Sequence, residues 1–192
     1  MFYQPKDGHR LPHNPFKAVV TPRPIGWIST RASHGDNLAP YSFFNAIADD
    51  PPQVMFAGGA KDSITNIRET GVFAVNVVSE AMLHQMNATS ARLTPTTDEF
   101  TYAGIEKAEC QTIPCPRVAA APATLECRLN QIIPLLGDDN YIVLGEVTGI
   151  HLRDDCLVNG TFDITRYNPV ARLGYKDYTM VRDLFALDRP RN

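Results

Sequence analysis

Long apolar runs are missing from this sequence. No stretch approaches the roughly 20 apolar residues that a bilayer-spanning helix requires, which argues against a membrane protein. A basic excess is missing too. Lys and Arg number 18 against 21 Asp and Glu, the net charge is −3 and no local basic run appears, so no nucleic-acid-binding face is expected. The first residues, Met1 to Arg10, carry no apolar signal core, and the expectation is a cytoplasmic protein. Cysteine is sparse: Cys110, Cys115, Cys127 and Cys156 form no C-x-x-C pair and read as free thiols of a reducing compartment. The histidines are scattered without H-E-x-x-H spacing, so no metal site is expected. The absence of G-x-x-x-x-G-K-[ST] and of G-x-G-x-x-G removes the P-loop and the Rossmann nucleotide sites. No G-x-S-x-G elbow occurs either. The carboxylate neighbours Asp49-Asp50 and Asp154-Asp155 would point to opposite faces of a strand, so neither pair can act as one acid–base unit.

What is present is a β-rich pattern cut by 15 prolines, with no repeat and no linker that would divide the chain. A single domain over residues 1–192, with its core at about 15–178, is expected. Six strands are read: Ile25–Thr30, Leu38–Phe44, Gln53–Ala57, Val72–Val78, Thr124–Ile133 and Tyr141–Leu152. The first two flank the turn residues Ser33–Asn37 and pair as a hairpin. One helix starts at Asp62 or Ser63 as the cap and stops at Gly71; another opens at Ser79 and runs to about Ser90, burying Leu83 and Met86. Residues 91–122 read as irregular, polar and proline-rich, a length of connection that usually carries function or an interface. Few helices between many strands favour an antiparallel barrel over a doubly wound parallel sheet.

Three segments carry candidate chemistry. Lys61-Asp62-Ser63-Ile64-Thr65-Asn66 stands at a helix start, where free N–H groups and a partial positive charge attract phosphate. Gly58-Gly59 just before lets backbone come close to a ligand. Asp62 opposes the idea unless it turns aside, and an ordinary capped helix is the plain alternative. The hairpin around Pro22–Thr30 and Asn37–Ala46 mixes aromatic and small polar residues, as a flat ring with a polar edge would need; a barrel core is its plain alternative. The tail Arg166–Tyr175 either lines a pocket, packs on a second subunit or is simply solvated.

Taken in order, Pro22-Arg23-Pro24-Ile25 with Ser29-Thr30, Asn37–Phe44, Asp50-Pro51-Pro52, Lys61-Asp62-Ser63 with Asn66-Ile67, Phe73–Asn76, Leu125-Glu126-Cys127 and Pro169–Gly174 resemble the flavin reductase-like family of the FMN-binding split-barrel superfamily. Its branch containing flavin reductase components of two-component monooxygenases and flavoredoxin is the most similar. The resemblance implies a mainly β, six-stranded Greek-key split barrel with short helical insertions, forming a homodimer with FMN near the interface. It implies NADH or NADPH as hydride donor and an oxygenase component as a partner. By position it places Ser42, Phe43, Phe44, Asn45, Ala46 and Ile47 along the isoalloxazine and ribityl chain, and Ser29 and Thr30 near the ring or the ribityl hydroxyls. Lys61, Ser63, Thr65 and Asn66 then hold the phosphate, and Arg172 and Tyr175 close the site from the tail. No acid–base residue is assigned; His34 and His84 read as surface or helix-packing residues. A flavin-binding electron carrier reduced by another protein, and a barrel that has lost flavin, are the competing readings.

Overall fold

In a computed structural model, residues 1–94 and 97–190 are described. Pro95 and Thr96, inside the segment expected to be irregular, and Arg191 and Asn192 lie outside the described residues. Seven strands form one antiparallel sheet: β1 (Gly26–Ala32), β2 (Gly35–Tyr41), β3 (Phe44–Asp49), β4 (Pro52–Gly58), β5 (Val72–Val77), β6 (Ala123–Pro134) and β7 (Tyr141–Leu152), in the order β2-β1-β5-β6-β7-β4-β3. Helix α1 (Asp62–Thr70) joins β4 to β5, and α2 (Leu83–Ala88) follows β5 after one 3-10 turn. No helix of the described residues is long and apolar enough to cross a membrane.

The sheet rolls up until its two outer pairs touch. Two glycines permit the contact: a Cβ on Gly26 of β1 would stand 2.7 Å from Phe44 of β3, and one on Gly58 of β4 would stand 2.7 Å from Tyr41 of β2. Among the described residues no backbone hydrogen bond crosses this line, so the barrel is split there. Inside lie Ile28, Phe56, Phe73, Val75, Cys127 and Val143, and α1 closes one end with Ile64 and Ile67. The other face of β1 and β5 is covered as well: Trp27, Leu38, Met82, Met86, Phe100 and Val118 make a second core under α2 and the 98–118 segment. Burial on both faces is why β5 reads as an unbroken apolar run rather than an alternating one.

One expected strand is two. Leu38–Phe44 breaks at Ser42-Phe43, and the chain starts again as β3, giving seven main strands where six were expected. The capping of α1 also differs. Its N-cap is Lys61, with no side-chain cap bond, because the Ser63 hydroxyl donates instead to Asn37 Oδ1 at 2.8 Å. The segment expected to be irregular holds a helical turn, Glu99–Tyr102, capped by Asp98, and a small hairpin of Lys107–Glu109 with Pro116–Val118. The tail is not loose: Val170–Arg172 pairs with Arg23–Pro24 and with Tyr178–Met180. All four cysteines are free.

Two buried polar groups tie the layers together. Asn76 of β5 donates to the Trp27 carbonyl at 2.9 Å and the Ser29 hydroxyl at 3.0 Å, and accepts from Val118 N–H at 2.8 Å and the Thr124 hydroxyl at 3.1 Å. Glu126 of β6 accepts from the N–H groups of Gln111 and Thr112 and from the Thr112 hydroxyl, each at 2.6 Å, and meets His151 Nε2. Burial works to raise its pKa, but the Thr112 and Gln111 donors and His151 outweigh it and bring it down to about 2. A carboxylate held below its ordinary value stabilises the fold fully above that value, and the gain is lost as pH falls toward about 2. Glu126→Gln, which keeps one acceptor, should cost about 1–2 kcal/mol near neutral pH. Urea unfolding at about pH 6 and about pH 3 should show the gap to wild type closing at the lower pH. An equal gap at both would mean that Glu126 acts by shape alone.

Candidate functional site

A cavity of about 610 Å³ opens where the barrel is split. Its walls are the end of β2 and the bend after it (Tyr41, Ser42, Phe43), the β4–α1 junction (Gly58, Gly59, Lys61, Ser63) and, from across the split, residues 89–93 with Glu99. The α1 junction is built for an anion. Without a side-chain cap, the first-turn N–H groups of Asp62, Ser63 and Ile64 have no intrahelical partner, and Thr65 N–H makes the first helical bond, to the Lys61 carbonyl at 3.0 Å. Lys61, Asp62 and Ser63 all line this cavity, so free first-turn N–H groups and a lysine stand together at its wall, a combination that suits phosphate. Arg92 and Lys17 add positive charge at the rim, opposed by Asp62 and the buried Glu99. Burial pushes the Glu99 carboxyl up, against its own N–H and that of Leu38, which bonds it at 3.1 Å. Burial likewise raises the Tyr41 phenol, against a hydrogen bond with Ser63.

The sequence-derived residues do not all fall in one place. Ser42, Phe43, Lys61 and Ser63 share the cavity. Phe44, Asn45, Ala46 and Ile47 lie on β3, a sheet edge bonded on one side only to β4, with Ile47 unpaired at a bulge and 47% exposed. Thr30 and Asn66 are buried against each other behind α1, Nδ2 donating to Oγ1 at 3.0 Å, while Ser29 turns to the opposite face and donates to the Pro116 carbonyl at 2.7 Å. Thr65 is exposed on α1. Arg172 and Tyr175 line no part of this cavity; Arg172 belongs to a second one, and Tyr175 is exposed beside His13. Asn37, Thr89, Ser90, Arg92 and Glu99 line the cavity without having been expected. Asn37 sat inside the similar segment before Phe44, whereas the others come from the stretch after α2, where no local pattern marks them.

This donor set fits FMN by its chemistry. An uncapped helix start with a lysine suits the phosphate, serine and asparagine side chains suit a polyol, and Tyr41 and Phe43 offer flat apolar faces beside an unpaired strand edge. Comparison with known proteins agrees at the level of family. Residues 19–171 match the family model for the flavin reductase like domain. An uncharacterized protein of Deinococcus radiodurans is 40% identical over 187 residues, covering 90% of this chain and 82% of its own. Among solved structures, the 2-nitrobenzoate 2-nitroreductase of Pseudomonas fluorescens is similar at 31% identity and TM-score 0.83, covering 91% of this chain and 88% of its own. Component B of nitrilotriacetate monooxygenase from Bacillus cereus is similar at 27% identity and TM-score 0.86, covering 94% of this chain and 100% of its own. With its split barrel, the uncapped helix start in its cavity and a family model spanning most of its length, the chain belongs to the flavin reductase like family.

Proposed function

We propose that the protein binds FMN and passes hydride to it from NADH or NADPH, working as a homodimer with the flavin near the interface. The observation that carries this is the uncapped start of α1, with Lys61, opening onto a cavity walled by Tyr41, Ser42 and Phe43, the residues that lead into the edge strand β3. FMN supplies the hydride-accepting ring. The protein's residues do the positioning: Lys61 and the first-turn N–H groups neutralise phosphate, Ser63 is fixed by Asn37, and Phe43 and Tyr41 wall the ring's approach. Those N–H and C=O groups of residues 42–47 that β4 leaves unpaired would hold the polar edge of the ring. Thr30 and Asn66 act from behind by holding α1 against β1.

The exposed β3 edge, with Phe43 40% exposed and Ile47 47% exposed beside it, supports the dimer, because a bare hydrophobic strand edge invites pairing. The likeness to a monooxygenase component B supports an oxygenase as the partner that takes the reduced flavin. The purified protein should be yellow, and NADH or NADPH added without oxygen should bleach it. If flavin is bound and neither nucleotide bleaches it, the hydride-transfer reading is lost and a carrier reduced by another protein replaces it.

A further inference from the structure

A second concavity, about 410 Å³, lies between α2 and the tail. It is lined by Leu83, His84, Asn87, Arg172, Lys176 and Tyr178: three basic side chains and no carboxylate. The Arg172 guanidinium stacks on the Tyr178 ring at 4.3 Å and donates from Nη2 to the Tyr175 carbonyl at 2.6 Å. Among the described residues its Nε and Nη1, and the side chains of His84 and Lys176, have no hydrogen-bond or salt-bridge partner. Two cations, Arg172 and Lys176, brought together with no carboxylate in the lining leave an uncompensated field that an anion would relieve, and the His84 imidazole adds a polar group beside them. The Tyr178 hydroxyl, donating to Asn87 Oδ1 at 3.4 Å, ties the tail strand to α2 and fixes the floor of the concavity.

The two cavities are neighbours without a common lining residue. Asn87 lines the second and Thr89 and Ser90 line the first, so they flank the same end of α2. On the other side, buried Arg23 donates to the carbonyls of Lys17, Val20 and Leu173, which joins the Lys17 rim of the first cavity to the residue after Arg172. The size decides how much ligand can enter. At the low end of small-molecule sites, which run from about 300 to 1,000 Å³, the second concavity takes a mononucleotide and not a whole dinucleotide.

We infer that this concavity binds the 2′-phosphoadenosine end of NADPH, so that the nicotinamide end reaches across α2 to the flavin cavity. This rests on the hydride-transfer reading above and adds a choice of donor. An adenosine ribose with a free 2′-hydroxyl is commonly met by a carboxylate, and a 2′-phosphate by an arginine. Here there is no carboxylate, and the arginine is already stacked in the plane that suits a purine, with Lys176 and His84 to meet the phosphate.

The test needs no turnover. Calorimetric titration of the flavoprotein with 2′,5′-ADP, 5′-AMP and inorganic phosphate should show 2′,5′-ADP binding at least tenfold tighter than the other two. Lys176→Glu should weaken 2′,5′-ADP at least tenfold, with wild-type FMN content reporting an intact fold. Binding no tighter than that of inorganic phosphate, or unchanged in Lys176→Glu, overturns the assignment even if NADPH bleaches the flavin. The converse result, tight Lys176-dependent binding without bleaching by either nucleotide, supports the site and removes the hydride-transfer reading instead.

Discussion

Lys61→Glu should weaken FMN binding by about a hundredfold. In the proposed complex the native ammonium and the first-turn N–H groups of α1 meet one phosphate, and a charge-assisted hydrogen bond of this kind contributes about 1.5–3 kcal/mol. Reversal also sets a carboxylate beside Asp62 and near Glu99, in a cavity that already holds both acids. At close range near a surface that repulsion adds about 1 kcal/mol or more. Titrating flavin into the deflavinated protein and following the quenching of its fluorescence measures the change. Lys61→Gln should lose less, because it removes the charge without reversing it. If Lys61→Glu binds FMN as wild type does, the phosphate lies elsewhere and the proposed function goes with it.

Asn76→Leu should destabilise the fold by about 3–5 kcal/mol with no direct effect on ligand contacts. Leucine fills nearly the same volume but leaves Val118 N–H, the Thr124 hydroxyl and the Trp27 carbonyl without the side chain that bonds them. Each orphaned buried group costs about 1–3 kcal/mol. The loss matters because Asn76 bonds β1, β6 and the 116–118 strand at once and so holds the outer layer on the barrel. Urea unfolding gives the number. A cost under about 1 kcal/mol would mean that the layers relax enough to re-pair those groups or admit water to them.

The fold was legible where burial wrote a pattern. Strands β1, β4, β5, β6 and β7 fall within two residues of their expected limits, because buried faces leave runs or alternations of apolar residues, whereas β2 starts and ends three residues before its expected limits. β3 was hidden in Phe-Asn-Ala-Ile-Ala-Asp, mostly exposed on both faces, and the break before it falls at Ser42-Phe43, with no glycine or proline to mark it. The cap of α1 misled for another reason: Ser63 obeys a partner 26 residues earlier rather than its own helix. Ser29 and Thr30 show a signal that was available. Neighbours on a strand point to opposite faces, so one ligand cannot touch both side chains from the same side. Thr30 indeed faces α1 while Ser29 faces the 116–118 strand. Arg92 and Glu99 reach the cavity only through packing of the segment after α2, and nothing in their own neighbourhood announces it.

The split in the barrel has a mechanical meaning. Where Phe44 lies on Gly26 and Tyr41 on Gly58, the contact is van der Waals only, and such contacts slide with little resistance compared with a hydrogen-bonded ladder. The mouth of the larger cavity sits on this line, with Tyr41 and Gly58 in its rim. Guests of different girth can therefore be admitted by a small shear between two packed edges, while every backbone pairing in the sheet stays made.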